Sequence, residues 1–204
     1  MKLAGQPDQQ DAIRKIYADE NVKQRQLGET FSRLGIEVVE VDLSALPGSP
    51  DLSAVLPYGF RADLNHFLAS LGDQVAVGSL EEIIAFNNED LANRAPYGQG
   101  SLKEAQDSRQ SEAEYLALKE QHQRTTRAAL HKLFADYGID VLVTNATQAY
   151  APAGLPAITV PAGYDENGQP IGITMLADYL GEPQLIAAAY AFEQATQARM
   201  APDL

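Results

Sequence analysis

The sequence predicts an α/β fold, and three patterns carry that expectation. First, residues 157–160 and 171–176 are short runs rich in β-branched side chains, joined through Asp165, Glu166, Asn167 and Gly168. Gly168 can take φ > 0 without a Cβ clash and Asn167 tolerates the same region, so the chain is expected to reverse there as a hairpin. Second, residues 8–41 and 111–144 each read as a helix, a glycine stop and an apolar run, the order of an α/β unit. Third, residues 184–199 put Leu185, Ile186, Ala189, Phe192 and Thr196 on one helical face, with Pro183 in the first turn and Glu182 at the positive helix end.

Within the hairpin, Ile171, Ile173 and Met175 share one side of the return strand, while Gly172 and Thr174 share the other. Pro156, Pro161 and Pro170 are expected to mark strand ends, because proline donates nothing to a ladder. The hairpin should therefore be short.

The motifs are ordered. Residues 153–163 (AGLPAITVPAG), then 168–172 (GQPIG), then 185–196 (LIAAAYAFEQAT) together resemble the C-terminal end of the amidase signature family. That resemblance implies the C-terminal part of a larger α/β fold, a mixed sheet with helices packed on it. It also implies kinship with serine hydrolases of amide bonds, whose upstream half holds a lysine, a bridging serine and a nucleophilic serine in a Gly/Ser-rich segment. Residues 58–71, 79–87 and 97–100 resemble further family elements in the same order, although Gly59 stands where an acidic residue is expected.

A chain of 204 residues buries a sizeable core and is expected to form a single amidase-like C-terminal domain over 1–204. The formal net charge of −13 argues against nucleic acid and anionic membrane as partners, since both would repel it. There is no cysteine, hence neither disulfide nor thiolate metal site, which suits a reducing compartment. With no apolar run long enough for a membrane span and no signal-like start, the cytoplasm is the expected location.

Taken in order, Ile13, Ile16, Tyr17, Leu27, Phe31 and Leu34 recur at helical spacing across residues 8–35, interrupted weakly by Gly28. Gly35 stops that helix, and residues 36–41 (IEVVEV) read as a strand. Residues 43–57 are rich in Ser, Pro and Gly and read as a loop. Ser44, Ser49 and Ser53 serve there as turn and cap residues, because a strained nucleophile elbow needs small neighbours that Pro50 does not supply. Residues 58–71 form a helix with Phe60, Leu64, Phe67, Leu68 and Leu71 on one face, ending at Gly72. His66 lies beside that face with no partner near in sequence, so it reads as a packed or half-exposed residue rather than a base.

Ser79 with Glu82, and Ser111 with Glu114, are capping-box patterns. The longest helix, 111–137, sets Tyr115, Leu118, Ala129, Leu130, Leu133, Phe134 and Tyr137 on one side. His122 and His131 are not spaced i, i+4 to share a metal, so no metal site and no cofactor is expected. Gly138 ends the helix, and residues 139–144 (IDVLVT) form a buried strand leading to the loop 145–150.

Loops at strand carboxyl ends are where ligands sit in α/β folds, so Asn145, Thr147 and Tyr150 are candidate substrate-pocket residues. In the family this stretch borders the substrate, and the resemblance adds Gly154. No catalytic residue is assigned. The six lysines fall on polar helix faces, where an ammonium keeps its charge, and no Gly/Ser-rich loop supplies an activated serine. The chain is expected to be the pocket side and core of an amidase acting on a small-molecule amide once an upstream half completes it. A stand-alone, non-catalytic binding or interaction module is the other expectation. An incomplete sheet should expose apolar surface and promote self-association.

Overall fold

The structure is a computed structural model, and it describes residues 27–46, 52–145 and 147–201. The helices are α1 (27–33), α2 (Leu56–Leu71), α3 (Leu80–Asn88), α4 (Leu91–Arg94), α5 (Gly100–Asp107), α6 (Glu112–Tyr137), α7 (Tyr150–Ala153) and α8 (Glu182–Thr196). The strands are β1 (Val141–Val143), β2 (Ala157–Tyr164) and β3 (Pro170–Ala177). The chain forms two compact units, one of Met1–Pro47 with Arg127–Leu204, the other of Gly48–Thr126. Mixed helix and sheet is the fold class that the sequence patterns anticipate.

The first unit is built on an antiparallel sheet in the order β1-β3-β2. The turn between β2 and β3 forms as its residues require: Gly168 sits at φ 76°, its N–H donates to Asp165 O at 3.1 Å, and Asp165 Oδ1 accepts from Asn167 N and Gln169 N, each at 2.8 Å. Strand pleating sorts the side chains into two cores. Leu142 and its ladder partner Leu176 pack with Leu130, Leu133 and Phe134 of α6 and with Ala149, Ala153 and Leu155. Ile173, Met175 and Ala177 pack with Leu185, Ala189 and Phe192 of α8 and with Phe31 of α1, whose ring centroid lies 5.4 Å from that of Phe192.

The hairpin is longer than expected. Pro161 does not end β2 but lies inside it, opposite Gly172. The physical reason is its position on an edge strand, where a missing N–H need not break a ladder, together with a register shift between Pro161 and Gly163, the latter at φ 126°. The expected strand at 36–41 is also corrected: among the described residues it joins no ladder, and 36–40 are exposed. Gly35, at φ 76°, does stop α1. Residues 8–26 of the expected first helix lie outside the described residues, and Gly28 is inside α1. Ile186, expected on the buried face of α8, is exposed, while Leu185, Ala189 and Phe192 are buried. The α6 helix ends where expected, with Gly138 at φ 61° and Ile139 N donating to Phe134 O at 3.2 Å. The strand that follows is shorter than 139–144 and lies at the sheet edge rather than in its middle.

The second unit is helical. Leu68 of α2 is buried, but Phe60 and Phe67, expected beside it, are 45% and 57% exposed. The close approach is made instead at Gly59, where a Cβ would lie 3.1 Å from Tyr115 Oη on α6. A glycine rather than a larger acidic residue therefore fits there. Arg61 Nη1 donates to Gln106 O at 3.0 Å and Ser108 O at 2.8 Å, tying α2 to the end of α5. His66 is exposed. Residues 43–57 contain two 3-10 turns, Leu43–Ala45 and Leu52–Ala54, before α2 begins. Ser44 donates its N–H and hydroxyl to Asp42, each at 2.8 Å, the turn role expected of it, while Ser49 lies outside the described residues.

Both serine caps form. Ser79 Oγ accepts from Glu82 N at 3.2 Å, but Glu82 Oε2 reaches back one residue further than a capping box, to Gly78 N at 2.7 Å. Ser79→Ala should lower the stability of the helical unit by about 1 kcal/mol in denaturant melts. Ser111 and Glu114 make the reciprocal box, with N–H donations at 3.3 Å and 2.9 Å. These donations from the Ser111 N–H and hydroxyl hold the Glu114 carboxyl below its ordinary pKa, and those from Ser44 do the same at Asp42. A depressed carboxyl pKa stabilises above the unfolded-state value, and that stability disappears as pH falls through the folded value. Acid melts should accordingly show a shallower loss of midpoint below the usual carboxylate range in Glu114→Gln than in the unaltered chain.

Candidate functional site

The stretch from β1 through α7 to β2 carries all four residues that the sequence marks as pocket candidates. Thr144 N donates to Thr174 O at 2.9 Å, continuing the ladder one step past β1. The Asn145 side chain then stands in for a backbone: its Nδ2 donates to Gly172 O at 2.9 Å and its Oδ1 accepts from Thr174 N at 3.0 Å. Thr147 Oγ1 accepts from Ala149 N at 3.1 Å, closing the turn into α7. Tyr150 opens α7 and packs against the Leu130 and Leu133 core. Gly154 caps α7 at φ 66°, where a side chain would be strained, and Leu155 N donates to Tyr150 O at 3.0 Å.

Arg127 of α6 clamps this segment from below, its Nε donating to Ala153 O at 2.9 Å. Both polar ends of Asn145 and the acceptor of Thr147 are therefore committed to holding the loop, and Gly154 supplies a backbone angle. The Tyr150 hydroxyl is the polar group of the four with no hydrogen bond among the described residues. Asn145→Ala should cost about 1 kcal/mol, since water can replace these bonds at an exposed site, and should speed amide exchange at Thr174.

A second feature, which sequence reading missed, lies where β3 runs into α8. A concavity of about 330 Å³ is lined by residues that include His131, Ile139, Asp140, Asp178, Leu180 and Gln184. His131 Nδ1 meets Asp178 Oδ2, and Asp178 Oδ1 accepts from Tyr179 N at 2.8 Å. Leu180 sits at φ 62°, costly for a branched residue, and both it and Tyr179 are exposed. The Arg127 guanidinium lies 5.7 Å from the Tyr179 ring centroid, so one arginine touches both loops.

An imidazole oriented by a carboxylate is two parts of a nucleophile-activating trio, but among the described residues no hydroxyl hydrogen-bonds His131. The His131 side chain is 71% exposed, which suits a latch between α6 and the loop after β3 better than a base. The signal available in the sequence is Asp178, an acid directly following a strand, and no local pattern joins it to His131.

The lysines bear directly on amide chemistry. Lys103, Lys119 and Lys132 are exposed, and Lys132 Nζ pairs with Asp136 at 2.6 Å. Among the described residues no lysine hydrogen-bonds a serine. No helix of the described residues is long and apolar enough to cross a membrane.

No family model matches the sequence. A probable amidase of Arabidopsis thaliana is 32% identical over 178 residues, covering 84% of this chain and 34% of that protein. Among solved structures, an amidase family protein from Bacillus anthracis str. Ames superposes with a TM-score of 0.74 at 29% identity, over 90% of this chain and 37% of that one. The native peptide amidase from Stenotrophomonas maltophilia superposes with a TM-score of 0.74 at 27% identity, over 90% of this chain and 41% of that one. Helices packed on this sheet, with these neighbours, define an amidase-type fold. The chain is part of the amidase signature family. It spans about a third of the curated amidase that it matches over most of its own length.

Proposed function

We propose that the chain is the C-terminal portion of an amidase-like amide-bond hydrolase, contributing the core and the substrate-pocket side, and that it turns over no amide by itself. The observation that carries this reading is the superposition of 90% of the chain on solved amidases of which it covers 37% and 41%. The exposure of Lys103, Lys119 and Lys132 supports it, because among the described residues none of them is buried beside a serine. In this reading the two compact units belong to one amidase-like domain working in the cytoplasm on a small-molecule amide. Asn145, Thr147, Tyr150 and Gly154 form the wall facing the substrate, with the Tyr150 hydroxyl as its hydrogen-bonding group. The bonds of Asn145 and Thr147 fix that wall's backbone.

A stand-alone binding module is the alternative reading, and the concavity beside His131 and Asp178 is what favours it. The two separate in one experiment. The chain is assayed against a panel of carboxamides and anilides, alone and mixed with the separately expressed portion of the Stenotrophomonas maltophilia peptide amidase outside the matched 41%. No turnover alone and turnover on mixing is the expected result. Turnover by the chain alone that one serine substitution abolishes would overturn the proposal, and none in either case would favour the binding module.

A further inference from the structure

Arg127, Leu130 and Phe134 fall at i, i+3 and i+7 of α6, so the arginine stands on the side of the helix that carries the Leu130 core. That core includes Ala149 and Ala153, which bracket α7 and are 1% and 0% exposed. Helix α7 is a single turn, Tyr150–Ala153, and a single turn is too short to be stable on its own hydrogen bonds. Its last carbonyl, Ala153 O, accepts from Arg127 Nε at 2.9 Å, which sets a cation at the negative end of a helix. The first residue of the same turn is Tyr150, whose own carbonyl accepts from Leu155 N at 3.0 Å. Displacing the Ala153 carbonyl therefore displaces Tyr150, its neighbour three residues back. The far end of the guanidinium is held as well. Its carbon lies 5.7 Å from the Tyr179 ring centroid, and the Tyr179 backbone is fixed by Asp178, which meets His131 four residues further along α6.

We propose that Arg127 is a positioning residue for amide turnover: through Ala153 O it sets the Tyr150 hydroxyl against the substrate, without touching the substrate itself. This rests on the reading of Tyr150 as the hydrogen-bonding group of the pocket wall. A hydrogen bond from that hydroxyl is made to the bound amide and kept in the transition state, so misplacing it raises KM and leaves kcat unchanged. An arginine suits the task because its planar fork can donate from Nε while its face lies against a ring, which a lysine ammonium on a flexible stem does not do.

A double-mutant cycle tests this on the full chain mixed with the separately expressed portion of the Stenotrophomonas maltophilia peptide amidase outside the matched 41%, the probe being the carboxamide that the mixture turns over fastest. Arg127→Met keeps the packed stem and removes the donor. It should raise KM by about tenfold at unchanged kcat, as should Tyr150→Phe, the scale of one hydrogen bond. The double variant should be no worse than Tyr150→Phe alone, because Arg127 acts through that hydroxyl. Arg127→Lys keeps the charge and serves where the methionine variant does not fold; it should show the same non-additivity, with KM raised by about threefold. In the chain alone, the Arg127 variants should shift the fluorine resonance of a 3-fluorotyrosine at position 150, and Arg127→Met should speed exchange of the Leu155 amide by about tenfold. An unchanged KM in every folded Arg127 variant, effects that multiply in the double variant, or a position-150 resonance indifferent to Arg127 each overturn this inference and leave the proposed function standing. Tyr150→Phe without effect on KM removes Tyr150 from the wall and this inference with it, and no turnover on mixing overturns both readings.

Discussion

Phe192→Ala should destabilise the sheet-bearing unit by about 3–5 kcal/mol, enough to melt most of a marginally stable fold. Phe192 is 1% exposed, stands against Phe31 at 5.4 Å, and fills the space between α8 and the side of β3 that carries Ile173 and Met175. Truncation removes the ring's transfer free energy and leaves a cavity bounded by α1, α8 and the sheet, which relax only in part. Loss of near-ultraviolet dichroism and a lowered denaturant midpoint are the readouts. Phe67→Ala is the control. That ring also sits on a helix whose spacing predicts a buried face, but it is exposed, and its loss should change stability by no more than about 0.5 kcal/mol.

Gly181→Ala is the second large effect, and its cause is space rather than backbone freedom, since Gly181 has φ −85°. A Cβ there would lie 2.5 Å from Ala177 Cβ and 2.9 Å from Asp178 O. Neither neighbour is the end of a flexible side chain, so β3 and the start of α8 must separate. The Gly181 N–H bond to Asp178 O at 2.9 Å would be strained with them. The expected cost is about 1–3 kcal/mol, at the upper end because backbone must move. The movement should also part Asp178 from His131, so the His131 ring resonances should shift in the variant even at temperatures where it is folded. Gly100→Ala gives the contrast: nothing lies within 4 Å of the added Cβ and φ is ordinary, so at the start of α5 the change should be neutral or stabilising by about 0.5–1 kcal/mol.

Local signals made much of this legible. The hairpin turn, the stops at Gly35, Gly72 and Gly138, the serine caps and the Pro183 start of α8 are each set by one or two residues whose chemistry acts over a few positions. What depended on distant neighbours was harder to read. Pro161 looks like a strand end until β2 is known to be an edge, and Ile36–Val41 looks like a strand because its composition is one, although no described strand lies beside it. The spacing of Phe60 and Phe67 shows that they share a helix face but not which side of α2 meets other helices. That was decided by Gly59 beneath Tyr115.

The place of Asn145, Thr147, Tyr150 and Gly154 just after a strand was legible in the sequence, and with the family pattern around it makes them pocket candidates. The side-chain bonds of Asn145 to β3 were not, because they depend on the register of Gly172 and Thr174. The His131–Asp178 pair spans 47 residues of sequence and has no motif.

The central claim, that this chain by itself holds no activated serine, is tested most directly by intact mass after incubation with a fluorophosphonate. That reagent labels serines made nucleophilic by a neighbouring base. The account predicts an unmodified mass for the chain alone. A stoichiometric adduct on a single serine, lost when one lysine is replaced by methionine, would contradict it and make the chain an enzyme in its own right.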